Sequence, residues 1–396
     1  MRRCKARRKM RQEGICAIVS AQELIGVEPR KIMGKTSADV EMAFIFGAGA
    51  SMPPLKSQQD LVLDLLEETR EPRVQAARKY LRRTFPGFLR VGSGKPPFRF
   101  EDIVGPLEIA EAEEYWYHFG GHHPNTKTLV TNREVLDSLD SWVAIALDPD
   151  SIPKPTGRGD PQHDLKRTAF CNYYAPSSGA SLPYARLVNL LKEIGILERA
   201  AFLSMNYDIL LDRVLVASEA FVPDYRIDAF YEQEGETTTQ KSSVCLLKLH
   251  GLLNWRACER CHVLRNLGIF MVWPNSNCVD CESKNARPML IRPTLLKDFR
   301  HRVWKDVWRE AGHVLAGART WVIVGYSLPM ADVWMLRLLA QSARSAGIRW
   351  SERKIIIVNR DADTWERFAI IFPNAQFREQ TFDDWISFCQ EIKGVE

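Results

Sequence analysis

The stretch FIFGAGAS, residues 44–51, decides the fold of this chain. The apolar run Ala43–Phe46 predicts a short buried strand, and Gly47 and Gly49 predict a tight turn directly after it. Ser57 can then cap a helix with leucines at helical spacing. A strand, a glycine turn and a helix in this order are typical of a nucleotide-binding fold, in which free backbone N–H groups suit a pyrophosphate. The third glycine of the dinucleotide fingerprint is absent, so the turn alone does not identify the ligand.

Further apolar runs predict strands later in the chain, at Ala200–Leu203, Val244–Leu249, Thr320–Val324 and Lys354–Val358. Helical patterns separate the later runs, and the clearest covers Ala331–Ala346. Strands that alternate with helices predict a mostly parallel sheet covered on both faces. We therefore expect a Rossmann-like, doubly wound α/β fold.

The region between the first two strands has a helical character instead. Its helical patterns lie at Glu101–His118, Asn132–Leu147 and Ser181–Leu197. Stretches rich in Gly and Pro at 84–100 and 148–164 predict loops. We expect residues 70–198 to be a mainly helical insertion within a single domain that covers residues 41–396.

Positive charge is concentrated at the start of the chain. Residues 1–40 contain ten Lys and Arg against four Asp and Glu, so the remainder is close to neutral. We expect a basic, flexible leader, with an arm that binds nucleic acid or an acidic partner as the alternative. Composition does not indicate nucleic-acid binding by the body of the chain. No apolar run reaches the roughly 18 residues of a membrane helix, and no apolar segment of a secretory signal follows the basic residues, so a cytoplasmic protein is expected.

Four of the nine cysteines form two CxxC pairs, Cys258 with Cys261 and Cys278 with Cys281. Four thiolates at this spacing can close a tetrahedral zinc site with no open position for substrate, which predicts a structural zinc module at about 256–284. An odd cysteine count with paired CxxC units favours a reducing compartment over a disulfide framework.

Polar residues follow several of the predicted strands. Asn206 and Asp208 come after the second strand and His250 after the third. Open α/β sheets place ligand groups at these strand ends, and a histidine there can act as a general base near neutral pH. In isolation, an Asx turn and a core histidine are the simpler readings. Three further strand-end residues are either phosphate or ribose contacts or ordinary loop residues: Gly325, Ser327 and Asn359.

Taken in order, these motifs resemble the sirtuin superfamily, whose members break the nicotinamide–ribose bond of NAD. The shared pattern is a Gly-Ala-Gly-x-Ser turn, an Asn-x-Asp segment, a His-Gly, two CxxC pairs, a Gly-x-Ser loop and a strand that ends in Asn, and it runs from Phe44 to Asn359. The resemblance implies a sirtuin-type fold, NAD as the substrate and a structural Zn²⁺.

It also implies a role for each matching residue. Asn206 would contact the nicotinamide-side ribose and order the water or acceptor, Asp208 would hold the carboxamide, and His250 would be the general base. The implied NAD contacts are Gly47, Ala48, Gly49 and Ser51 at the phosphates, Gly325 and Ser327 along the phosphate and adenosine-ribose path, and Asn359 at the adenosine ribose.

The chain departs from the protein-deacylating sirtuins in ways that bear on the substrate. Those proteins carry Gln-Asn before Ile-Asp, and a Phe-Gly-Glu segment that lines the acyl-lysine channel. Here the sequences are MNYD at 205–208 and PMLIRPTLLK at 288–297. These, with HGLLNW at 250–255, look like the sirtuin-like domains of bacterial anti-phage defence, which commonly hydrolyse NAD. Because burying unpaired charge is costly, we expect Arg292 and Lys297 to face solvent, a partner or the NAD phosphates.

The leading hypothesis is an NAD glycohydrolase that releases nicotinamide and ADP-ribose as an abortive-infection effector, with a defence-system partner protein or a homo-oligomer. A protein deacylase or ADP-ribosyltransferase is the alternative, and the missing Phe-Gly-Glu segment argues against it. A binding sensor for NAD or an ADP-ribose derivative, without turnover, is a third. Retention of Asn206 and His250 argues against that sensor.

Overall fold

The computed structural model describes residues 40–52, 55, 57–68, 70–85, 100–112, 131–147, 182–218, 221–227, 242–258, 260–261, 263–266, 278, 281–282, 286–292, 294, 297, 299, 301–344 and 352–394. The predicted leader, except for Val40, and the predicted loop at 148–164 lie outside these residues. Within the described part of the chain, no helix combines the length and the apolar composition needed to cross a membrane.

The main layer is a seven-stranded sheet whose strand pairs are all parallel. The strands of the chain are β1 (Met42–Phe46), β2 (Ala200–Ser204), β3 (Phe221–Asp224), β4 (Ser242–Lys248), β5 (Gly251–Cys258), β6 (Leu264–Asn266), β7 (Ala286–Leu290), β8 (Thr320–Val324), β9 (Lys354–Val358) and β10 (Gln376–Arg378). The order in the main sheet is β10-β9-β8-β1-β2-β4-β3. The predicted parallel α/β architecture is confirmed.

Helices cover this sheet and continue beyond it. They are α1 (Gln58–Glu67), α2 (Gln75–Thr84), α3 (Phe100–Ala112), α4 (Asn132–Ala146), α5 (Pro183–Glu193), α6 (Leu210–Ala217), α7 (Arg302–Gly317), α8 (Val333–Ala343), α9 (Asp363–Ile371) and α10 (Phe382–Gly394). Ser57 caps α1 as predicted, since its side chain accepts a hydrogen bond from the Asp60 amide in a capping box. Asp332 caps α8, so this helix begins two residues later than its apolar pattern suggested.

The central strands β1 and β2 are apolar except for Ser204, because both of their faces are buried. All five residues of β1 and of β2 are buried, as a parallel sheet between helix layers requires. Phe46 contacts Tyr184 of α5 and Phe382 of α10, with ring centroids 5.1 and 5.7 Å apart. One hydrophobic cluster therefore joins the sheet to its flanking helices.

Helices α1 to α4 form a second hydrophobic cluster. It contains Leu65 and Leu66 from α1, Ile103 from α3 and Trp142 from α4, together with Leu253 from β5. In the described part of residues 70–198, the three predicted helical patterns correspond to α3, α4 and α5, although α5 ends at Glu193, before the predicted Leu197. This layer packs beside the carboxyl end of the main sheet through Leu253 and Tyr207.

A separate three-stranded antiparallel sheet, in the order β6-β5-β7, carries the cysteine segment. It begins directly after His250, so this histidine lies in the turn that joins the two sheets. The sequence patterns did not predict this sheet. Its strands are short or interrupted, and β5 has an irregular register between Leu252 and Arg256.

Candidate functional site

The strand order reverses beside β1, which lies between β8 on one side and β2 on the other. In open parallel sheets this topological switch point opens a crevice at the carboxyl ends of the strands, where ligands bind. The Gly47 turn follows β1, and the Gly325 loop follows β8. The chain therefore brings two glycine motifs, far apart in sequence, to the point where the fold favours a ligand.

The two glycine turns touch each other. Gly47 N–H donates to Val324 at 3.0 Å, and Gly49 N–H donates to the Gly325 carbonyl at 2.9 Å. Gly325 has a φ of +59°, and a Cβ there would lie 2.3 Å from the Ala50 nitrogen. Only glycine fits such a left-handed position against neighbouring backbone.

This arrangement corrects one expectation about the first turn. The amides of Gly47, Gly49 and Ala50 already donate to protein carbonyls, so they are not the free N–H groups that the sequence suggested for a pyrophosphate. These small residues allow the close backbone approach to the Gly325 loop. Gly47 and Ala48 still line the cavity described below.

A buried hydrogen-bond chain links the first turn to the Asn-Tyr-Asp segment. Asn206 Nδ2 donates to the Gly47 carbonyl and to Ser51 Oγ, each at 2.9 Å. Ser51 Oγ in turn donates to Asp208 Oδ2 at 2.8 Å, and it lies 3.0 Å from the Tyr184 hydroxyl. Ser51 therefore fixes the orientations of Asn206 and Asp208 through its hydroxyl.

A second buried cluster contacts the backbone of the same segment at Asp208. Lys248 Nζ donates to the Asp208 carbonyl at 2.6 Å and lies 3.4 Å from Asp212 Oδ2. Tyr225 donates to the other oxygen of Asp212 at 2.5 Å. Sequence reasoning did not identify Lys248, although a lysine at the end of an apolar strand was an available signal.

His250 lies in a buried environment beside two charged side chains. Its Nε2 is 3.3 Å from Lys297 Nζ and 3.7 Å from Asp332 Oδ2. Burial, reinforced by the Lys297 charge, lowers the pKa of His250 to about 4, against the opposing effect of Asp332. The imidazole is therefore neutral at physiological pH and able to accept a proton.

Arg292 does not occupy the surroundings expected from the sequence, whereas Lys297 lines the cavity described below, so its expected contact with the NAD phosphates stays a prediction. Arg292 makes a two-pronged ion pair with Asp140 of α4, at 2.6 and 2.9 Å, and a third contact with Glu108 of α3 at 3.1 Å. The Lys297 side chain is 1% exposed. The expectation of solvent, partner or phosphate contacts is wrong for Arg292, because partly buried carboxylates of the helical layer supply its partners.

One cavity collects most of the predicted residues. Its walls include a shared set from the strand ends: Gly47, Ala48, Ser51, Asn206, Asp208, His250, Gly325 and Ser327. Helices α3 and α4 contribute Phe100, Glu101 and Val143. Among the predicted site residues, Gly49 and Asn359 are not part of this lining, and Asn359 Nδ2 lies 3.4 Å from the Tyr326 carbonyl.

The four cysteines of the two CxxC pairs come together as predicted. Their Sγ atoms all lie within 4.8 Å of one another, with Cys258 to Cys281 and Cys261 to Cys278 both at 3.6 Å. A disulfide needs about 2 Å, whereas four ligands about 2.3 Å from one zinc ion have separations of this size. The donor set therefore fits Zn²⁺.

Comparison with known proteins gives structural similarity only. No protein-family description matches the chain, and no curated protein matches it. Similar solved structures include a Sir2 homologue in complex with NAD, 14% identical over 94% of this chain and 94% of that chain, with a TM-score of 0.43. Another is a Sir2 variant with a deacetylated p53 peptide and 3′-O-acetyl ADP-ribose, 16% identical over 90% of this chain and 94% of that chain, with a TM-score of 0.41. At this level of similarity no residue role is transferred from them.

Proposed function

We propose that this protein is a sirtuin-like NAD⁺ glycohydrolase that cleaves NAD to nicotinamide and ADP-ribose. One observation carries the proposal. Asn206, Asp208 and His250 line a single cavity at the switch point of a parallel sheet, together with the Gly47 turn and the Gly325 loop. These are the segments that the motif resemblance selects, and they come from four separate strand ends.

The chemistry needs orientation of the ribose and a base for the incoming oxygen. Water oxygen bonds to the ribose C1′ as the bond from C1′ to nitrogen breaks, the nitrogen keeps the bonding electrons, and nicotinamide leaves as a neutral base. A water proton passes to a general base, and neutral His250 suits that role. Asp208, held by Ser51 and Lys248, would bind the carboxamide, while Asn206 would order the ribose and the water.

The surroundings of the cavity favour water over a protein acceptor. The 288–297 segment replaces the wall that lines the acyl-lysine channel in deacylating sirtuins. Here Arg292 ties it to α3 and α4, and Tyr207 donates to the Ile291 carbonyl at 2.6 Å. Helical side chains Phe100 and Val143 then form part of the cavity wall. The segment that would line an acyl-lysine channel is thus bound to the helical layer, and we take this as support for hydrolysis, because water needs no channel.

We further propose that NAD depletion serves anti-phage defence in the cytoplasm, in concert with a defence-system partner protein or a homo-oligomer. The support is the sequence resemblance of the Asn-Tyr-Asp, His-Gly-x-x-Asn-Trp, Pro-Thr-x-x-Lys and Gly-Tyr-Ser segments to such domains. The four cysteines would hold a structural Zn²⁺ that maintains the small sheet after His250.

Purified protein incubated with NAD, with and without an acetylated peptide, tests the activity. We expect nicotinamide and ADP-ribose without peptide, and no stimulation when peptide is added. Asn206→Ala and His250→Ala should each lower the rate by about 10²–10⁴-fold. Arg309→Ala, in an exposed pair with Asp306, is the matched surface control and should keep the wild-type rate. Formation of O-acetyl-ADP-ribose only with peptide would replace this proposal with the deacylase.

A further inference from the structure

Two buried charged side chains lie beside His250, and a buried tyrosine contacts one of them; none of the three has a role in the hydrolysis proposed above. They are Lys297 from the segment after β7, Asp332 from the N-cap of α8, and Tyr326 from the loop after β8. The side chains of Lys297 and Asp332 are 1% and 5% exposed. Burying an ammonium and a carboxylate is costly unless they are paired and hydrogen-bonded, so we expect each of them to have a buried partner.

Hydrogen bonds and an ion pair connect Tyr326, Asp332, Lys297 and His250 in series. Tyr326 donates to Asp332 Oδ2 at 2.6 Å, and the Met335 amide lies 3.4 Å from Asp332 Oδ1. Lys297 Nζ lies 3.4 Å from Asp332 Oδ1 and 3.3 Å from His250 Nε2. Asp332 is thus fixed from two sides, and it holds the ammonium against the imidazole.

The direction of the contact between Lys297 and His250 follows from the hydrogen-bonding capacity of each group. A lysine ammonium has three donors and no acceptor, so Nε2 of the imidazole must supply a lone pair. With the lone pair on Nε2, the proton of the neutral imidazole lies on its other nitrogen. This is the neutral tautomer that a general base acting through Nε2 requires.

We propose that Lys297 is a positioning residue that keeps His250 as the neutral imidazole with Nε2 unprotonated, and that Asp332 holds Lys297 in place. This inference deepens the proposed function, since it rests on His250 acting as the base of that same site. Lys297 itself needs no contact with the substrate for this role.

The charges around His250 make the two residues act in opposite directions. The Lys297 ammonium disfavours a second positive charge on the ring and lowers the pKa of His250, whereas the Asp332 carboxylate raises it. The other faces of the ring meet Tyr207 and the uncharged Trp308, with centroids 6.5 and 6.3 Å away. The carboxylates of Glu101 and Asp208 also line the cavity.

Histidine titration by NMR tests the proposal without any need for enzymatic activity. The chain carries eight histidines, and the His250 signal is assigned by its loss in His250→Gln. In the wild type we expect His250 to stay neutral down to pH 5. Lys297→Met should raise its pKa by about 1–3 units, the usual effect of one nearby charge, and Asp332→Asn should lower it. Lys297→Arg, which keeps the charge, should restore wild-type behaviour.

The double variant Lys297→Met with Asp332→Asn removes both charges and leaves no unpaired buried ion, so it protects the test against misfolding of a single variant. Its His250 pKa should fall between those of the two single variants. Arg309→Met is the surface control and should leave the titration unchanged. A His250 pKa that stays constant in Lys297→Met, or a wild-type His250 that titrates near its ordinary 6.5, would overturn the proposal.

The pH dependence of NAD cleavage links the titration to the reaction. The rate of the wild type should hold as the pH falls from 8 to 5, while the rate of Lys297→Met should fall with the protonation of His250 over that range. If the shifts appear by NMR but no variant nor the wild type cleaves NAD, the proposed function fails while the role of Lys297 stands. If NAD is cleaved with an unshifted His250, the reverse holds.

Discussion

The main parallel sheet and the cysteine segment, residues 256–284, are stabilised by different interactions. The sheet buries strands such as β1 and β8 between helices in one large apolar cluster. In the part of the cysteine segment that the structure describes, the local cluster is formed by the cysteines themselves, with Cys258 and Cys278 buried and Cys261 and Cys281 packed against them. Burial of apolar area stabilises the sheet at about 25 cal/mol per Å², whereas so small a cluster needs a metal.

The difference between the two regions also explains why the candidate site lies at the main sheet and not in the cysteine segment. Strand ends of a rigid sheet hold Asn206 and His250 in fixed positions, since the backbone beneath them is fully packed. The cysteine segment supplies no residue to the cavity lining among the described residues. It supports the site indirectly, because its first strand begins at Gly251, directly after His250.

Removal of the metal should have the largest effect and should be confined to one region. Structural zinc contributes about 10–16 kcal/mol in small zinc-binding peptides, so a strong chelator should unfold the segment at 256–284 while the main sheet persists. We expect one zinc per chain by elemental analysis, and its loss in Cys261→Ser and Cys278→Ser. Cys389→Ser, which lies outside the cluster, is the matched control. Well-folded protein without zinc would contradict the conclusion that the cysteine segment needs a metal for its stability.

Breaking the Arg292 ion pair should have a smaller effect that is independent of metal. Arg292→Met leaves Asp140 and Glu108 largely buried without their partner, which typically costs about 3–5 kcal/mol. The free energy of unfolding in denaturant measures this loss. The exposed pair of Arg309 with Asp306 gives the control, since Arg309→Met should cost about 0–1 kcal/mol. Equal losses of unfolding free energy for both variants would show that the ion pair between Arg292 and the helical layer does not stabilise the fold.

A conservative change within the sheet should have the smallest effect. Ile357 in β9 is fully buried, and Ile357→Val should cost about 0.5–1.5 kcal/mol. Because the sheet relies on apolar burial, we expect the same cost in zinc-loaded protein and in protein treated with chelator. Thermal unfolding under both conditions checks this. A destabilisation that depends on metal would show that the two regions unfold as one cooperative unit.

Much of the fold could be predicted because its signals are local. The predicted bounds of the strands at Thr320–Val324 and Lys354–Val358 match the structure, since apolar runs between turns mark buried parallel strands. The CxxC spacing predicted the cysteine cluster for the same reason. The strands of the small sheet were missed because tertiary pairing, rather than a local pattern, decides them.

The site was only partly predictable from the sequence. Strand-end positions identified Asn206, Asp208 and His250, but nothing in the sequence joined Asp332 to His250. Its place before α8 reads as a helix cap, which it also is. The carboxylates that meet Arg292 come from helices far away in the chain, and no spacing rule predicts such a contact.

The sequence by itself determined the strands of the main sheet that form clear apolar runs, the places where polar residues follow those strands, and the four thiols of the cysteine cluster. Those features depend on periodicity and spacing within a few residues, which the chain carries locally. The tertiary structure alone decided that the Gly47 turn packs against Gly325, that Lys297 lies beside His250, and that Arg292 is paired. These depend on which distant segments the folded sheet brings within a few ångströms, and burial then fixes their charges and hydrogen bonds.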